Sequence, residues 1–167
     1  MSSQSQHADQ QPKQKKQCQI IVEVQEAAFD AQELESRLAV GAHIGAVASF
    51  IGYVRDHGDR PDVIGLRLEH YAGMTEKILT QHCQHAAARW AIDSIVMIHR
   101  VGELGLTAPI VGVAVASAHR QDAFDTIQFL MDFLKHDAPF WKQELTQSGH
   151  AIWVEQKHSD QQAKKRW

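Results

Sequence analysis

Apolar and polar residues repeat with two different periods along this chain, and the switches between them mark out its elements. Cys18 to Gln25 (CQIIVEVQ) is rich in β-branched residues and partly alternating, which predicts a strand. Asp30 is placed to cap a short helix running to about Ala39, with Leu34 and Leu38 inward and Gly41 at its stop. Gly45 to Val54 (GAVASFIGYV) predicts a second strand, in which Gly52 marks a bulge or a close backbone approach. The Gly/Asp/Pro stretch from Asp56 to Asp62 reads as a loop. Val63 to Tyr71 (VIGLRLEHY) alternates, with Ile64, Leu66 and Leu68 on one face and Arg67 and Glu69 on the other, as in a strand with one wet side.

Thr75 to Trp90 follows as a helix with Ile78, Leu79, Cys83 and Ala86 inward. Ser94 to Val101 is a strand, and Gly102-Glu103-Leu104-Gly105 turns out of it. Ile110 to Ala116 is apolar throughout, which fits a strand buried on both faces. Ala123, Phe124, Ile127, Leu130, Met131 and Leu134 then recur at three- and four-residue steps, forming one apolar face of a helix. Pro139 cannot continue that helix, so the chain turns near Asp137. Phe140 to Leu145 and His150 to Glu155 close as a hairpin through Thr146-Gln147-Ser148-Gly149. About seven strands and three main helices, with strands following one another and a terminal hairpin, predict an α+β fold with a mostly antiparallel sheet.

Composition narrows the class. At 167 residues, with 44% hydrophobic and 22% charged positions, the chain matches one ordinary globular domain. Residues 1–17 are Gln, Ser and Lys with almost no apolar side chains and read as a disordered tail. Residues 157–167 read as a basic tail, leaving 18–156 as the domain. A net charge of −3 gives no basic field for nucleic acid. No apolar run approaches a membrane span or a signal sequence, and two cysteines outside any CxxC pattern fit a cytoplasmic protein with free thiols. Eleven histidines are many but scattered, and His82 and His85, three apart on a helix, lack a third ligand and read as exposed helix histidines.

The chemistry-bearing residues are cations at the ends of elements. Arg55 closes a strand beside a loop. His119 and Arg120 open the central helix, where unpaired backbone N–H groups attract anions. Lys135 ends that helix, and Lys142 follows the Ala138-Pro139 break. Each has an ordinary explanation taken alone: a surface ion pair with Asp56 or Asp59, a helix cap, a lysine placed for the helix dipole, a solvated edge. Taken together they describe a pocket for an anionic, phosphorylated small molecule. A lysine there, its pKa lowered by burial or neighbouring charge, can serve as acid/base or nucleophile. No P-loop, GxGxxG, zinc spacing or GxSxG occurs.

Six stretches extend this reading: Gly52-Tyr-Val-Arg55, Leu68-Glu-His-Tyr-Ala-Gly-Met-Thr-Glu-Lys77, Ile98-His-Arg-Val-Gly-Glu-Leu104, Ser117-Ala-His-Arg120, Ala138-Pro-Phe-Trp-Lys142 and Ser159-Asp-Gln-Gln-Ala-Lys-Lys-Arg-Trp167. In this order they resemble the large, catalytic subunits of molybdopterin synthase, the MoaE family, from about Cys18 to the C-terminus. The resemblance implies a hammerhead-type α+β domain that forms a homodimer. Each protomer is expected to bind a small ubiquitin-like sulfur-carrier subunit, giving a heterotetramer. The carrier's C-terminal Gly-Gly thiocarboxylate would enter the large subunit's pocket, and two sulfur transfers would convert cyclic pyranopterin monophosphate into the dithiolene of molybdopterin.

By the same resemblance Lys135 is the principal catalytic lysine and Lys142 the second. Tyr53, Val54, Arg55, His119, Arg120, Gln143 and Glu144 complete the substrate site, with His119 and Arg120 supplied by the neighbouring protomer and Gln143 and Glu144 on one pocket edge. No metal or cofactor is expected, nor a nucleic-acid or membrane partner. The chain departs from the family pattern at Tyr53, where many members carry lysine, and in the turn Gly105-Leu-Thr-Ala-Pro109, which lacks a Pro-Gly-Asp pattern. The tail before Cys18 has no counterpart. Three other readings stand beside this one: a non-catalytic homologue, a histidine-rich metal binder, and a nucleic-acid binder acting through Lys164 to Arg166.

Overall fold

A computed structural model of the chain describes residues 17–56 and 62–154. Of the stretches read as tails, residues 1–16 of the first and all of 157–167 lie outside the described residues, as do residues 57–61 of the loop and residues 155 and 156. Eleven elements follow in order: β1 (Gln19–Gln25), α1 (Ala31–Ser36), β2 (Ala46–Tyr53), β3 (Val63–His70), α2 (Met74–Arg89), β4 (Ile92–Arg100), β5 (Gly102–Gly105), β6 (Pro109–Ser117), α3 (Arg120–His136), β7 (Phe140–Thr146) and β8 (Ala151–Trp153).

The strands form two four-stranded sheets, ordered β1-β4-β6-β2 and β5-β3-β7-β8, and only β1–β4 is parallel. In the first sheet, alternate residues of β4 and β6 feed two different cores. Ile95, Met97, Val113 and Val115 face α2 and α3, meeting Leu79, Cys83, Ala86, Ala123, Leu130 and Phe133. Val96, Ile98, Ala114 and Ala116 face the other way, onto Phe29, Leu34 and Leu38 around α1. Helices on both faces are why the β6 sequence is apolar throughout. Gly112 belongs to the α1 side, where a side chain would meet the ring of Phe29 at 2.6 Å.

Several expectations change. The described residues form eight strands in two sheets, because β3 takes β5 and β7 as its neighbours and joins nothing in the first sheet. Gly102 to Gly105 is strand β5, paired with Gly65 to Leu68; so short a Gly-containing run takes its extended form from the partner strand. Ile64 is 47% exposed, away from Leu66 and Leu68, because an irregularity between Val63 and Gly65 shifts the register.

Phe124 is 59% exposed. The buried stripe of α3 is Ala123, Thr126, Leu130 and Phe133, and Phe124 lies one residue, roughly 100° of helix, off it. Helix α1 is capped by Asp30, whose carboxylate accepts from the Glu33 N–H at 2.8 Å, but it stops at Ser36, short of Ala39. Arg37 leaves the helix to form a bidentate pair with Glu23 of β1. His82 is half-buried and packed face to face on Phe133, not simply exposed.

Candidate active site

The placement of the cations follows from strand register. β2 and β6 run antiparallel, with Ala46 opposite Ser117 at one end and Gly52 opposite Val111 at the other. Val111 is also opposite His99 of β4. The ring of Phe140, the first residue of β7, stacks on His99 with centroids 3.8 Å apart and planes at 15°. Helix α3 leaves the Ser117 end and packs back along β6 and β2. Its 17 residues span roughly 25 Å, about the length of the sheet. The α3–β7 turn therefore lies at the Val111 end, with Lys135 in the last helical turn on one side of it and Lys142 on the other.

Arg55 reaches the same end. Val54 is buried against Leu66, Leu68 and Leu104. Its N–H donates to the Ala108 carbonyl at 2.9 Å, and its own carbonyl accepts from the Thr107 N–H at 2.7 Å. The turn that departs from the family pattern thus pins Val54, and it does so with Thr107 at φ 65, a left-handed conformation that β-branched residues rarely adopt. On β7, Lys142 is opposite Leu68 and Glu144 is opposite Leu66. Residues directly opposite across an antiparallel pair share a face, so Lys142 and Glu144 lie on the face that meets Val54. Arg55 follows Val54 and is exposed.

Gln143 is separated from this group. Strand alternation puts it on the opposite face, with Arg67 across on β3 and Trp153 across on β8. Gln143 is buried, and its Oε1 accepts no hydrogen bond among the described residues. Tyr53, one residue past the register shift at Gly52, is 56% exposed.

His119 and Arg120 lie at the far end of the same protomer. The eight residues of β2 put seven steps between its two ends, roughly 24 Å. His119 is the N-cap of α3, and its side chain makes no capping bond. Buried Ser117 fixes the backbone instead: its Oγ accepts from the His119 N–H at 3.1 Å and lies 3.0 Å from the His119 carbonyl. This leaves both His119 and Arg120 side chains exposed. The role of Ser117 is one that the sequence pattern does not reveal, although it opens the Ser-Ala-His-Arg stretch.

Within one protomer these two groups of residues stay apart, and β2 lies at an edge of the sheet between them. β2 is an outer strand of its sheet, its sequence AVASFIGY has neither charge nor proline, and Val47 and Phe50 are 44% and 40% exposed. Such an edge is a template for pairing. Two β2 strands paired antiparallel about a two-fold axis would set the Ala46 end of one beside the Tyr53 end of the other.

The family model described as MoaE protein matches residues 24–137. The chain belongs to the MoaE family. This member is 51% identical over 149 residues to the molybdopterin synthase catalytic subunit of Pseudomonas aeruginosa, covering 89% of this chain and 99% of that protein. It is 52% identical over 123 residues to the subunit of that name from Escherichia coli, covering 74% and 81%. The solved molybdopterin biosynthesis MoaE protein from Burkholderia ambifaria superposes with a TM-score of 0.71 at 40% identity, covering 89% of this chain and 97% of that one. A solved complex of subunits 1 and 2 of the Helicobacter pylori molybdopterin-converting factor has a TM-score of 0.67 at 19% identity, over 81% and 91%, a likeness of fold alone.

In this MoaE-family chain two histidines, His99 and His82, stack on the phenylalanines either side of the α3–β7 turn. Burial pushes the His99 imidazole down to about 4 from 6.5, with His70 adding to the shift. Its Nδ1–H donates to the Arg100 carbonyl at 2.9 Å. The His82 imidazole is also lowered, chiefly by burial. Between pH 4 and 6.5 the folded chain refuses a proton at His99 that the unfolded chain accepts, so stability falls as pH drops from 6.5 toward 4. At 1.36 kcal/mol per unit, His99 contributes a loss of roughly 3 kcal/mol across that window. Urea midpoints at pH 7 and 4.5 measure it, and His99→Phe, which keeps a ring on Phe140, removes that part of the slope. Among the described residues no group of three or more His, Cys, Asp or Glu is placed to hold a metal, and His82 spends its Nδ1 on the Ile78 carbonyl at 3.0 Å. No helix among them is long and apolar enough to cross a membrane.

Proposed function

We propose that this chain is the catalytic subunit of a molybdopterin synthase: it transfers two sulfurs from the thiocarboxylated C-terminus of a small ubiquitin-like carrier to cyclic pyranopterin monophosphate. The observation that carries this reading is the return of α3 to the Val111 end of the sheet, which puts Lys135 and Lys142 on either side of one turn beside the strand that delivers Arg55. Residues 18–156 are the catalytic unit. Free Cys18 and Cys83 support a cytoplasmic setting.

The chemistry explains why cations are needed. The attacking thiocarboxylate and the cyclic phosphate are both anions, and two unit charges 4 Å apart repel by about 4 kcal/mol at an effective dielectric of 20. Lys135 sits where carrier tail and pterin meet and offsets that repulsion as a pterin carbon exchanges a C–O bond for a C–S bond; water then hydrolyses the acyl–sulfur bond, leaving the sulfur on the pterin and a carboxylate on the carrier. Lys142, with Glu144 on its face, holds the substrate and then the half-sulfurated intermediate for the second transfer. Arg55, with His119 and Arg120 of a second protomer, takes the phosphate, in a homodimer seamed along β2. Val54 and the exposed Tyr53 form the wall beside Arg55, and Gln143 supports that wall from the opposite face of β7.

Turnover tests the reading. Purified chain, thiocarboxylated carrier and cyclic pyranopterin monophosphate should yield molybdopterin. Carrier binding without product would identify a non-catalytic homologue instead.

A further inference from the structure

Two aromatic stacks flank the lysine turn symmetrically, and no part of the proposed chemistry uses them. On the helix side, the ring of His82 from α2 lies on Phe133, two residues before Lys135, with centroids 3.2 Å apart and planes at 12°. On the strand side, the ring of His99 from β4 lies on Phe140, two residues before Lys142, at 3.8 Å and 15°. Each imidazole is locked by the same device, an Nδ1–H donated to a backbone carbonyl, Ile78 for His82 and Arg100 for His99. His70, opposite Phe140 on β3, adds a third ring at 6.3 Å. Phe133 and Phe140 both pack into the core between the first sheet and its helices, so the two limbs of the turn are tied to α2 and β4, elements that carry no site residue.

We propose that His82 and His99 are positioning residues for Lys135 and Lys142: the two stacks clamp the limbs of the α3–β7 turn and fix the separation of the lysines. The inference rests on the sulfur-transfer reading for its catalytic consequence, but the clamp itself is a property of the fold. A shift of about 1 Å at a reacting group costs on the order of 10²-fold in rate, so a clamp outside the reacting atoms is expected to show in kcat. The stack needs a flat ring, not a proton, so phenylalanine replaces either histidine and leucine does not.

The experiment compares His82→Leu, His82→Phe, His99→Leu and His99→Phe with wild type. The first readout is hydrogen exchange of the peptide spanning Phe133 to Lys142, which needs no substrate. Exchange at least tenfold faster in each leucine variant, with the phenylalanine variants close to wild type, is the expected result. The second readout is turnover with thiocarboxylated carrier and cyclic pyranopterin monophosphate. The leucine variants should lose ten- to a hundredfold in kcat with KM within about threefold, and accumulate half-sulfurated intermediate, while the phenylalanine variants stay within threefold of wild type.

Exchange unchanged in both leucine variants overturns the clamp. So does faster exchange with full turnover, or a phenylalanine variant as impaired as its leucine counterpart. His82 is only half-buried, so its variants keep the test open if His99→Leu does not fold. Absence of product from wild type would count against the sulfur-transfer reading alone, and exchange would still decide the clamp.

Discussion

Lys135→Ala is expected to fold normally and to lose product formation by roughly 10²–10³-fold, the usual consequence of removing one preorganised charge from a reacting centre. The fold is spared because Lys135 is exposed in the last turn of α3 and anchors nothing in the core. Its favourable interaction with the helix dipole is worth only about 0.5 kcal/mol. Lys142→Ala should be milder, about tenfold slower overall, with half-sulfurated intermediate building up as the second transfer lags. Separate quantification of intermediate and final product over time distinguishes the two. Lys135→Arg refines the assignment: recovery to within about tenfold of wild type identifies Lys135 as a fixed charge, and no recovery identifies it as a proton-transfer group, because arginine does not give up its proton. Full activity in both alanine variants would mean that the chemistry lies elsewhere.

The second large effect concerns assembly. Arg120→Ala and Lys135→Ala should each be nearly inactive as homodimers, and mixing them should restore activity. In one protomer Arg120 and Lys135 stand at opposite ends of the first sheet, so each site would draw Arg55 and the lysines from one chain and His119 and Arg120 from the other. A mixed dimer then contains one intact site and one site damaged twice. Half of the dimers are mixed after random exchange, so about a quarter of wild-type activity should return. A site confined to one protomer predicts none. Phe50→Lys, which charges the exposed β2 edge, should reduce both dimer content and activity, read by light scattering and turnover on one sample.

How much of this was legible in the sequence depended on whether the cause was local. The β6 run was legible because helices on both faces demand an unbroken apolar strand. Asp30 was legible as a cap because its bond to Glu33 spans three residues. The α3–β7 turn was legible because proline leaves no alternative. Strand β5, the outward Ile64 and the second sheet were not, since each depends on β3 choosing partners some 40 to 80 residues away. At the site, residue types and ends of elements pointed to the cations. The separation of Gln143 from Glu144 emerged only once β7 had a register, and the histidine stacks only once α2 and β4 were placed beside the turn.

The parallel β1–β4 pair has a consequence for how the chain is made. Gln19 is paired with Ser94, 75 residues later, and no hairpin can join parallel neighbours. Strand β1 must therefore wait until β4, some 75 residues later, has been synthesised. Until then its apolar side chains Ile20, Ile21, Val22 and Val24 have no sheet to join. During that interval β1 is open to chaperones and to other chains, and the domain closes late, around a strand made early.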